Sequence, residues 1–88
     1  MNKATDPILE LLDDTDMALP PKTMKVNFRR FLEDYPSEST VDRAIRDLRE
    51  NGYIERYPTP ETHYEITDKG REYLRGEQHP QTVLPISS

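Results

Sequence analysis

The 88-residue sequence predicts one small α+β domain: three helices, a β-hairpin and a short closing helix. Three observations carry that prediction. Apolar residues recur at helical spacing in three successive stretches before residue 52. The segments "YIERY" and "HYEIT", rich in β-formers, flank the turn "PTPET". Helical spacing then returns in "TDKGREYL". A chain of this length buries only about 60% of the surface its unfolded form exposes, so a single core is expected.

"TDPILELLDDTD" opens the first helix, with Asp6 as expected N-cap, Pro7 at the first helical position and Ile8, Leu9, Leu11 and Leu12 on one side. Pro20 and Pro21 break it, force extended backbone before them and open a second helix after them. From Lys22 to about Asp34, Met24, Phe28, Phe31 and Leu32 share one arc. Lys22, Val26, Arg29 and Arg30 share the other. Asn27 falls on the apolar side, where its amide needs a partner, and a tie to a neighbouring backbone carbonyl is expected.

Pro36 and Ser37 announce the third helix as turn residue and N-cap. Its buried stripe is Val41, Ala44, Ile45 and Leu48, and Gly52 ends it in the left-handed region. Two helices joined by a short turn form a helix-turn-helix arrangement. After the hairpin, Thr67 is the N-cap of the last helix, which buries Tyr73 and Leu74. Gly70 in its first turn implies a close approach by another element. The expected layout is an extension over 1–5, a domain over 6–76 and a flexible tail over 77–88 whose Val83, Leu84 and Ile86 can serve as a docking arm.

Several function classes are excluded by composition. Without cysteine there are no disulfides, thiolate nucleophiles or zinc-thiolate sites. His63 and His79 lie on different elements, so neither a metal site, a cofactor site nor a nucleophile–base pair is expected, and the chain is not expected to be an enzyme. No small-molecule ligand is evident. No apolar run approaches the roughly 20 residues that span a bilayer, and a cytoplasmic protein is expected. The net charge of −5 is unevenly spread: residues 1–16 carry one cation against five acids, whereas 17–57 carry eight against seven. The middle is the least acidic part.

"STVDRAIRDLRENGYIER" resembles the recognition helix and first wing strand of winged helix-turn-helix proteins, and "YEITDKGREYL" resembles their second wing strand and closing helix. Together with "LPPKTMKVNF", the latter is similar to haloarchaeal proteins related to a halophage repressor. The resemblance covers about residues 6 to 76. It implies a winged helix-turn-helix fold and a sequence-specific, repressor-like regulator of transcription that binds double-stranded DNA, from an archaeal, halophilic and viral or proviral setting. Eight arginines against four lysines suit a high-salt cytoplasm.

With Val41 at the centre of the buried stripe, a 100° step per residue places Ser39 at about 160°, Arg43 at about 200° and Arg46 at about 140°, opposite the core. Arg49, at about 80°, lies on the flank. Two readings compete. In one, Asp42–Arg46, Arg43–Asp47 and Arg46–Glu50 are ion pairs on a solvated helix face. In the other, a recognition helix over about 37–51 enters the major groove, with Ser37, Ser39, Thr40, Arg43 and Arg46 nearest the DNA. Helix 2 then offers Lys22, Lys25, Arg29 and Arg30 to phosphates, and the wing offers Arg56, Thr59, Thr62 and His63. The wing tip itself carries no lysine or arginine. A homodimer on a two-fold site is a further expectation. The rival function is a winged helix that binds protein and not DNA.

Overall fold

The computed structural model describes residues 3–78, the last two by backbone only. Its elements follow the expected order: α1 (Thr5–Thr15), α2 (Pro21–Phe31), α3 (Glu38–Glu50), β1 (Ile54–Tyr57), β2 (His63–Ile66) and α4 (Asp68–Gln78). The expected arm at Val83, Leu84 and Ile86 lies outside the described residues.

Helix α1 starts two residues earlier than its capping signal suggests. Ala4 holds the cap position, and both Ala4 and Thr5 are buried, so part of the expected extension belongs to the core. Asp6 stands inside the first turn, where its carboxylate accepts a hydrogen bond from the Tyr73 hydroxyl at 3.1 Å. Ile8, Leu9 and Leu12 fill the centre of the domain.

The two prolines act as expected: Pro20 is extended and Pro21 is the first residue of α2. The extended piece before them also has a tertiary partner. Leu19 N–H donates to the Tyr64 carbonyl and Tyr64 N–H donates to the Leu19 carbonyl, both at 2.9 Å. That bridge adds a one-residue third strand to the antiparallel hairpin, in which Ile54 faces Ile66 and Tyr57 faces His63.

Helix α2 is shorter than its apolar arc. Leu32 already has extended backbone, so the helix stops at Phe31 and the chain leaves before any element covers that ring. Met24 and Phe28 are buried as expected, but Phe31 is 70% exposed and Leu32 is also open to solvent. Asn27 satisfies its amide inside its own helix, donating to the Thr23 carbonyl at 2.8 Å, not to a neighbouring element.

Helix α3 buries Val41, Ala44, Ile45 and Leu48. At its end Gly52 has φ +78°, Gly52 N–H donates to Arg49 O and Tyr53 N–H to Leu48 O. This is a Schellman closure, and it sends the chain directly into β1. Thr67 then joins the two ends: its hydroxyl donates to the Gly52 carbonyl at 2.6 Å and accepts from Gly70 N–H at 3.1 Å. Gly70 is where the backbone of another element passes. A Cβ there would collide with the Tyr53 carbonyl oxygen and sit 2.7 Å from Ile66 Cγ1.

Helix α4 runs to Gln78, two residues into the expected tail, and closes the domain against α1. Arg71 reaches Asp13 and Asp16 at 2.6 Å each, which raises its pKa, chiefly through the Asp16 hydrogen bond. Leu74 is buried, while Tyr73 is half-buried and stacks on Tyr53 with ring centroids 5.3 Å apart.

Candidate nucleic-acid interface

The start of α3 is held by its own hydroxyls. Ser37 Oγ accepts from Thr40 N–H at 3.2 Å and donates to Thr40 Oγ1 at 2.8 Å, with Ser39 Oγ at 3.4 Å. Ser37 and Thr40 therefore spend hydrogen-bonding capacity on fixing the first turn. Ser39 is exposed beside them. The free N–H groups and the positive end of the helix dipole create a local preference for anions at this end.

One turn further on, Arg43 and Arg46 project into solvent, opposite the buried stripe. None of the three ion pairs expected within α3 forms. Among the described residues neither arginine has a carboxylate partner, although Asp47 and Glu50 stand one turn away on the same helix. Asp42 instead bonds Lys25 of α2 at 2.9 Å. The Arg49 guanidinium lies over the Tyr64 ring, 5.7 Å from its centroid, so this arginine covers the sheet and not the outer face.

On α2, the helical step puts Lys22 one turn before and Arg29 one turn after Lys25, on the same face. Both are exposed, whereas the Lys25 side chain is only 20% exposed and is already paired. Arg30 is turned away from that face and packs its guanidinium 5.3 Å from the centre of the Phe31 ring. The four cations of α2 thus divide into two open, one paired across the helices and one stacked.

The wing is unevenly equipped. Arg56 and Thr62 are exposed, and Thr59 is tied into the tip by donating to Glu61 O at 2.6 Å. His63 is half-buried and not the fully exposed ring its place in the wing suggests. Its Nδ1 is buried without a hydrogen-bond partner among the described residues. Opposite His63 in the ladder, the Tyr57 ring is 42% exposed, an aromatic surface that the sequence pattern did not single out. Only alternation along β1 hints at it.

A second surface lies between α1 and α2. Pro7 and Leu11 face Phe28, Phe31 and Leu32 across a groove of about 210 Å³, with Glu10 and Asp14 at its rim. Burial, then the neighbouring Asp6 and Asp14 carboxylates, raise the pKa of Glu10. Among the described residues no cluster of His, Cys, Asp and Glu could hold a metal ion, and no helix is long and apolar enough to cross a membrane.

No family model matches this sequence, and no curated protein matches it. Two solved structures share its architecture. The chain is similar to the PadR-like transcriptional regulator BC1756 from Bacillus cereus, with a TM-score of 0.72 and 26% identity, covering 98% of this chain and 50% of that one. It is also similar in fold to the ferric uptake regulator Fur of Helicobacter pylori, with a TM-score of 0.64 and 15% identity, covering 100% of this chain and 73% of that one. The chain therefore spans half the length of the PadR-like protein. Its fold is the winged helix, with α2 and α3 as the helix-turn-helix and β1–β2 as the wing.

Proposed function

We propose that this winged helix is a sequence-specific double-stranded DNA-binding regulator of transcription, with the N-terminal half of α3 in the major groove. The observation that carries this reading is the state of Arg43 and Arg46, exposed and without ion-pair partners among the described residues on a helix that carries four carboxylates. A guanidinium in that state can grip guanine O6 and N7 through two parallel hydrogen bonds. Lys22 and Arg29 flank it toward phosphate, and the anion-favouring start of α3 adds a third contact type. That the PadR-like neighbour is a transcriptional regulator, on the same fold at 26% identity, supports the same reading.

Acidic surface elsewhere confines DNA to this face, because α1 and its rim repel phosphate. Two copies on a two-fold site, with half-sites about 34–36 Å apart, are expected to make up for the few contacts per copy. The test is fluorescence anisotropy with the duplex upstream of the protein's own gene and a scrambled duplex, from about 0.2 to 2 M KCl. Preferential binding of the upstream duplex that survives the high-salt end supports sequence reading. Equal binding of both duplexes removes the sequence-specific part, and binding of neither removes the proposal.

One observation favours a second reading, a module that binds protein: Val26, Phe31, Leu32 and Tyr35 are exposed around the end of α2. Failure of both duplexes to bind would move the search to that surface.

A further inference from the structure

The pair Lys25–Asp42 sits where the two helices of the proposed DNA face meet, and its geometry differs from that of every cation around it. Lys22, Arg29, Arg43 and Arg46 are open to solvent, whereas the Lys25 side chain is 20% exposed with its ammonium 2.9 Å from Asp42 Oδ1. Asp42 itself remains 60% exposed, one helical step from Val41 on the flank of α3. On its own helix Asp42 has Arg46 one turn ahead, yet it pairs across to α2. The choice leaves Arg46 open and occupies Lys25.

We propose that Asp42 withdraws Lys25 from the phosphate backbone, making the pair electrostatically silent toward DNA and holding down binding to duplexes of any sequence. This rests on the DNA-binding reading above. A lysine next to a recognition helix would ordinarily neutralise one phosphate and strengthen every complex alike, which adds affinity without discrimination. Held on Asp42, it releases no counterion. A bare Lys25 would gain a phosphate, and a bare Asp42 would repel one. Charge reaching the phosphates from this face then comes from Lys22 and Arg29, while Arg43 and Arg46 remain for the base edges.

The experiment measures the salt dependence of anisotropy for the upstream and scrambled duplexes with the unaltered chain, Asp42→Asn, and the double variant Asp42→Asn with Lys25→Met. Methionine keeps the lysine stem's apolar packing, and thermal melts by circular dichroism confirm that each variant is folded. Expected are tighter binding and a log–log salt slope about 0.9 steeper for Asp42→Asn on both duplexes, with the ratio between them unchanged. The double variant returns to the slope of the unaltered chain. An unchanged slope in Asp42→Asn overturns the proposal, as does a steeper slope that persists in the double variant, since the freed charge would then not be Lys25. Binding by none of the three proteins overturns the DNA-binding reading with it, whereas normal binding with the wrong slopes overturns this inference alone.

Discussion

Arg43 separates base reading from charge at the scale of one side chain. Arg43→Ala is expected to weaken the specific complex by about 1–3 kcal/mol and to relax preference at one base pair. Competition with single-position variants of the duplex checks this, and equal loss on specific and random DNA would refute it. The outward direction of Arg43 and Arg46 follows from helical periodicity alone, whereas their lack of ion-pair partners does not. For the Asp42–Arg46 pair it depends on Asp42 turning to Lys25, a contact between helices that no spacing within α3 encodes. Gly70 shows the opposite case: its place in the first turn of a helix already signals a close approach. Gly70→Ala is expected to lower stability by about 1–3 kcal/mol, measured by urea denaturation, because the new Cβ meets the Tyr53 carbonyl and Ile66. Alanine's usual helix advantage of about 1 kcal/mol is too small to reverse that collision.

Capping and charge decide how each helix behaves. Ser37→Ala removes the cap of α3 and is expected to cost about 0.5–2 kcal/mol of stability, with weaker DNA binding because the first turn carrying Ser39 and Thr40 frays. Far-UV circular dichroism melts and anisotropy on the same sample check both effects. In α1, Glu10 stands four residues from both Asp6 and Asp14, and burial and these carboxylates raise its pKa. The folded state therefore prefers the protonated acid, and stability from this group is lost as pH rises through its folded pKa. Glu10→Gln is expected to stabilise the protein at pH 7 by about 0.2–0.5 kcal/mol for each like-charge contact removed, and to have no such effect near pH 3. Denaturant midpoints at the two pH values decide it. Caps and breakers made these elements legible, with Pro21, Ser37, Gly52 and Thr67 all in their expected roles. The apolar arc of α2 misleads at Phe31, because periodicity shows which residues align but not whether another element arrives to cover them.

For the whole molecule, a net charge of −5 coexists with a cation-bearing face because residues 1–16 carry one cation against five acids, whereas 17–57, which hold α2 and α3, carry eight against seven. Lys22 and Arg29 on each of two copies neutralise about four phosphates and predict a log–log salt slope near −3.6, a loss of roughly 10³ to 10⁴ in affinity per tenfold rise in salt. A slope near zero would mean that phosphate contacts contribute nothing. The sequence by itself determined the order of elements, most of the buried stripes and the outward side of α3, since periodicity, capping and turn chemistry are local and repeat along the chain. Only the tertiary structure decided that Leu19 joins the sheet, that Thr67 ties α4 to the end of α3, and that Lys25 is paired while Arg43 and Arg46 are not. Those contacts join residues far apart in the chain, and their existence depends on how helices cross and where they stop.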